Sequence, residues 1–199
     1  MDNPQRTLPE PRTDGPMSLE TAIAQRRSVR RYGPMNLSLQ EIGQLLWSAQ
    51  GITGNSPGRR AAPSAGGRHP LVFYVCRDDG MWRYYPQGHF LKQHLARDVR
   101  EELAEAAWRQ DFIGEAPCVF VVSAVFERTT ERYEERGKLR YVPMDTGHAT
   151  ENLSLQAVAL GLGSTSVGAF DDDAVKQVLV LPEEEEPMYL IPVGHPRER

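Results

Sequence analysis

The chain has 199 residues, 40% apolar and 25% charged, the composition of one soluble domain whose core needs no disulfide or metal to hold it. Its 23 Lys and Arg against 27 Asp and Glu leave a net charge of −4, which argues against a general nucleic-acid binder. No apolar run approaches the ~20 residues that cross a bilayer, the first residues carry no signal segment, and Cys76 and Cys118 read as buried free thiols of a reducing cytoplasm.

Residues 1–17, with Pro4, Pro9, Pro11 and Pro16, read as a flexible amino-terminal arm before a domain over 18–199. A helix is predicted from Ser18 toward Arg31, stopped by Pro34. Ser38-x-x-Glu41 is a capping box that opens a second helix, with Leu39, Ile42, Leu45, Leu46 and Ala49 at helical spacing and Gly51 as its stop. Residues 51–69 form a long loop. Leu71 to Val75 and Met81 to Tyr85 read as a hairpin around Asp78-Asp79-Gly80. Lys92 to Trp108 follows a helical pattern. Cys118 to Val122 is a central strand, 127–140 an exposed charged helix and Met144 to Leu160 a further helix. Ser164 to Val167 reads as a strand, Asp171 caps a helix to Leu179, Glu183 to Glu186 form an acidic loop and Met188 to Val193 a last strand. Helices outnumber strands and do not alternate with them, so the predicted class is α+β with mostly antiparallel pairing.

Three segments carry chemistry. Arg26, Arg27, Arg30 and Arg31 crowd around Ser28, which suits a phosphate, or simply favours the carbonyl end of a helix. Ala61 to Arg68 holds small residues that let backbone approach a flat ligand, or forms a mobile surface loop. Gly161 to Phe170 follows a helix where the dinucleotide fingerprint would open one, and it places backbone N–H groups at Gly168 and Ala169. Asp145, His148, Glu151 and Asn152 share one helix, but without a second histidine-rich segment a packing His148 is preferred to a metal ligand. No nucleophile elbow or Walker loop is present.

Taken in order, Arg26-Arg27-Ser28-Val29-Arg30, Pro63-Ser64-Ala65-Gly66-Gly67, Asp145-x-Gly147-His148, Gly161-Leu162-Gly163 and Pro192-Val193-Gly194-His195 resemble the nitroreductase superfamily, nearest its SagB/ThcOx-type dehydrogenases. The resemblance covers roughly residues 18–197. It implies an FMN-binding homodimer with each flavin at the subunit interface. It assigns the flavin phosphate to Arg26, Arg27, Ser28 and Arg30, with Gly194 and Arg197 from the other end of the chain. Pro63, Ser64, Ala65 and Gly66 would reach the ring from the partner subunit, and Val167, Gly168 and Ala169 would lie along its edge. It implies hydride transfer from NAD(P)H to a nitro compound, a quinone or free flavin. The alternative is oxidation of an azoline-containing or otherwise modified peptide. Tyr133 is retained on the substrate side, where Phe112 and Trp108 are further candidates. Arg132 stands where azoline oxidases carry a lysine.

Overall fold

The computed structural model describes residues 3–54 and 58–197; the remaining parts of the amino-terminal arm, of the loop 51–69 and of the carboxyl terminus lie outside the described residues. Seven strands form one sheet: β1 (Gln5–Thr7), β2 (Leu71–Arg77), β3 (Gly80–Tyr85), β4 (Phe90–Leu95), β5 (Cys118–Val125), β6 (Gly163–Ser164) and β7 (Glu185–Gly194). Their order is β1-β4-β3-β2-β5-β7-β6, and every strand pair is antiparallel. Six α-helices accompany it: α1 (Leu19–Gln25), α2 (Leu39–Gln50), α3 (Arg100–Ala106), α4 (Glu127–Arg136), α5 (Val142–Ala159) and α6 (Asp172–Leu179). The α+β class is as expected, although among the described residues strands outnumber α-helices.

The sheet is the middle of three layers. Phe73, Val75, Phe120, Val122 and Ile191 face α2 and α5, where Ile42, Leu45, Leu153 and Ala157 meet them. Tyr74, Cys76, Val119, Val121 and Leu190 face α3 and α6, through Leu103, Val175 and Leu179. Burial on both faces explains the unbroken apolar run of β5, all eight residues of which are buried. Cys76 and Cys118 belong to opposite faces, so no disulfide joins them, and burial pushes the Cys118 thiol up to about 12.

Local signals hold where they are strong. The Ser38–Glu41 capping box is formed in both directions, Gly51 ends α2, and the Asp171 carboxylate accepts from the Ala174 N–H to cap α6. Four expectations change. The helix from Ser18 ends at Gln25, because the Val29 N–H donates instead to the Ser164 carbonyl at 3.0 Å and draws the chain into extended pairing. Residues 90–95 form a strand, since pairing with β3 outweighs their helical spacing. The amino-terminal arm is docked: Gln5–Thr7 pair with β4 and Leu8 is buried. The acidic loop gives way at Glu185 to β7, where that carboxylate is buried and accepts from Tyr74 Oη at 3.0 Å and Ser123 Oγ at 2.6 Å. Helix α4 breaks at Glu134 (φ 49°), and a π-helical turn over Gly137–Tyr141 leads into α5.

Candidate active site

Both ends of the chain meet on β6. Ser28 bridges Ser164, Gly163 pairs with Gly194, Tyr32 bridges Pro196, and the Arg197 N–H donates to the Arg31 carbonyl at 3.1 Å. Glycine is required by the closeness of this approach. A Cβ on Gly163 would stand 2.7 Å from Val29 Cβ, and one on Gly194 would stand 2.8 Å from the Pro117 ring.

The arginines around this seam differ in use. Arg26 lies a loose 3.6 Å from Glu151 of α5, and the Arg27 guanidinium folds back onto the Ala24 and Arg26 carbonyls at the end of α1. Arg30 lies over the Phe112 ring with its carbon 5.7 Å from the centroid. Arg30, Arg31 and Arg197 are exposed and meet no carboxylate among the described residues. An exposed hydroxyl at Ser28 beside unneutralised guanidiniums is a donor set that fits a phosphate.

The strand-like segment after β6 runs on along the same edge. Val167 is pinned by both backbone bonds to Leu190 and buries its side chain. Gly168 and Ala169 are exposed, and neither N–H meets an acceptor among the described residues, which fits the polar edge of a ring. Sequence reasoning missed Gln110. Its amide donates to the Ala107 carbonyl at 2.9 Å and the Ala169 carbonyl at 2.8 Å, so it ties the segment just after Gly168 to the turn after α3. No local pattern marks it; only the turn after α3, with Trp108 and Arg109 both at positive φ, brings it there. Trp108 is 66% exposed beside it.

Pro63–Gly66 sit elsewhere. Ser64 Oγ donates to Asp145 at 2.6 Å and accepts from the His69 N–H at 2.8 Å, so this hydroxyl is committed to holding the loop. The Ala65 N–H donates to the other Asp145 oxygen at 3.3 Å. Gly66 is left-handed, and a Cβ there would stand 2.6 Å from Tyr133 Oη, which brings Tyr133 onto this loop. The loop is therefore anchored at the first turn of α5, whereas Ser28 and Ser164 meet beyond its last turn. Asp145 to Ala159 alone spans roughly 21 Å at about 1.5 Å per residue. Among the described residues no contact joins this loop to the β6 seam, although Arg26 reaches α5 at Glu151, about 9 Å along the helix from Asp145. A cavity of about 770 Å³ between residues 12–19, α2 and α5 is lined by Ala61 and Asn152 but by none of the residues assigned to the flavin.

Comparison with known proteins agrees with this architecture. The model of the nitroreductase family matches residues 23–195. A protein of Methanocaldococcus jannaschii, provisionally named a nitroreductase, is 42% identical over 184 residues, covering 89% of this chain and 91% of its own. The FMN reductase (NADPH) of Bacillus subtilis is 25% identical over 192 residues, covering 90% of this chain and 66% of its own. A crystal structure from Ralstonia eutropha, provisionally titled a nitroreductase, superposes with a TM-score of 0.88 at 31% identity, covering 98% of this chain and 90% of that one.

Proposed function

The chain belongs to the nitroreductase family, and from that premise we propose that it is an FMN-dependent oxidoreductase passing a hydride from NAD(P)H to a small acceptor, a nitro compound, quinone or flavin, in a ping-pong cycle. The observation that carries the reading is the seam at β6, where both chain ends bring guanidiniums, those of Arg30, Arg31 and Arg197, that meet no carboxylate among the described residues, beside the exposed Gly168 and Ala169 N–H groups. When bound, the flavin supplies the hydride chemistry, and the protein binds and orients it. Arg26, Ser28, Arg30 and Arg197 hold the phosphate. Gly168 and Ala169 donate to the ring edge, on the segment that Gln110 ties to the turn after α3. The Pro63–Gly66 loop of a second subunit covers the ring, because the loop of the same chain is held at the far end of α5. The exposed apolar side chains of Leu19 and Ile23 on α1 and Met144 on α5 support a homodimer.

The peptide-oxidising alternative gains little from Arg132. Its guanidinium lies over the Tyr133 ring at 5.3 Å and cannot deprotonate to act as a base.

The experiment is anaerobic titration of the purified protein. A flavin absorption band bleached by NADPH or NADH is the expected result; a protein that carries no flavin and takes none up contradicts the reading. Within it, Arg26→Ala is expected to weaken FMN binding by roughly 1.5–3 kcal/mol, about 10- to 150-fold in Kd. Unchanged affinity in equilibrium dialysis removes Arg26 from the site.

A further inference from the structure

The loop that carries Pro63–Gly66 also carries charge that the seam does not use. Arg60 bridges Ile52 and donates from Nη1 to the Gln50 carbonyl at 3.0 Å. Arg128, exposed in the first turn of α4, donates to the His69 carbonyl at 3.2 Å. Arg59 and Arg68 adjoin them in sequence. Each staple spends one of the five N–H groups of a guanidinium. Among the described residues none of Arg59, Arg60, Arg68 or Arg128 forms an ion pair. The buried Nε atoms of Arg60 and Arg68 have no hydrogen-bond partner among the described residues. Burial lowers the proton affinity of Arg60, Tyr84 partly offsets it, and the charge of Arg128 lowers it again, so the two cations stand close enough to repel. His69 between them is held at φ 47°, a conformation uncommon outside glycine and frequent at ligand clamps.

Like charges are held together at a cost unless something anionic joins them. This surface shares both its elements, the loop and α4, with the Gly66–Tyr133 contact. It therefore adjoins the segment that covers the ring, and it is remote in the same chain from the seam that takes the flavin phosphate. A hydride donor whose nicotinamide lies on the ring must lead its phosphates out along the rim.

We propose that Arg60 and Arg128, with Arg68 beside them, bind the phosphate groups of the reduced nicotinamide donor. The proposal rests on the oxidoreductase reading and assigns the donor a site of its own on the ring-covering loop and α4. Charge at the rim then recognises the dinucleotide, and the acceptor needs no such group.

The test compares flavin-loaded parent protein with Arg68→Ala, Arg128→Ala and Arg128→Lys, using three hydride donors. These are NADPH, NADH and N-benzyl-1,4-dihydronicotinamide, which carries the reacting ring and no phosphate. The alanine variants are expected to raise KM for NADPH about 10- to 100-fold with kcat held, and to leave the benzyl donor unaffected. Arg128→Lys keeps most of the affinity. Loss confined to NADPH puts its 2′-phosphate on the cluster; equal loss with NADH puts the pyrophosphate there, and both support the site. Adenosine 2′,5′-bisphosphate and ADP, titrated calorimetrically, give the same contrast without turnover. Donor KM values that do not move, or that rise equally for all three donors, overturn the assignment. Failure of all three donors to reduce the parent protein overturns the oxidoreductase reading instead.

Discussion

Gly163→Val is expected to yield protein that retains less than a tenth of its flavin and melts earlier. The added Cβ would lie 2.7 Å from both Cβ and Cγ2 of Val29 and 2.8 Å from its Cγ1, closer than carbon atoms approach. Val29 cannot retreat freely, because its N–H is bonded to the Ser164 carbonyl at 3.0 Å. The valine must therefore push the Arg26–Arg31 segment off β6. Overpacking of this kind costs roughly 1–3 kcal/mol, or about 2–12 °C in a chain of this size. The larger effect falls on the flavin, since the seam is what brings guanidiniums from both chain ends together. Val29→Gly combined with Gly163→Ala removes all three contacts and is expected to keep much more flavin than Gly163→Ala alone, a coupling that distinguishes steric contact from a general weakness at position 163. A valine variant purified with a full complement of flavin would show that the docked seam is not needed for the cofactor.

Glu185→Ala has the largest expected effect on stability. The carboxylate is 1% exposed and accepts from Tyr74 Oη and Ser123 Oγ, with Arg83 Nη2 at 3.3 Å. These partners come from β2, β5 and β3, so one side chain on β7 ties four strands. Burial, reinforced by the charge of Glu185, raises the Tyr74 pKa well above the usual phenol range, so its hydroxyl stays a donor at every working pH. Removing the acceptor leaves two buried hydroxyls and a half-buried cation without it. That costs roughly 3–5 kcal/mol, which corresponds to a fall of about 6–20 °C in Tm. Glu185→Gln keeps an acceptor oxygen and should lose less. Gly194, at the far end of β7, lies roughly 30 Å away at about 3.4 Å per residue, so the flavin spectrum is expected to stay unchanged. A melting temperature within roughly 2 °C of the parent protein, the scale of a surface change, would mean the network is relieved in another way.

Both substitutions fall where long-range pairing overrides local sequence signals. Ser38-x-x-Glu41, Gly51 and Asp171 define helix ends because their partners lie within a few residues, and each was placed correctly. The apolar run at Cys118–Val122 announced a central strand because burial on both faces leaves no polar position. Val29, Lys92–Leu95 and Glu185 depart from what local spacing predicts for one shared reason. Their hydrogen-bond partners, Ser164, β3 and the Tyr74–Ser123 pair, are distant in sequence, and local spacing cannot report a bond that tertiary contact supplies.

Residue type alone determined the chemistry this protein can bring: guanidiniums with a serine at one end, a glycine and an arginine at the other, and small residues between, with the order that identifies the family. Only the tertiary structure decided which of them meet. It brought Ser28 and Gly194 onto the two residues of β6, folded the Arg27 guanidinium back on its own helix end, and added Gln110 to the ring edge. It also tied Ser64 to the opposite end of α5. The physical reason is that a side chain's donors are fixed by its covalent structure, whereas their direction and neighbours depend on long-range pairing that no stretch of sequence contains.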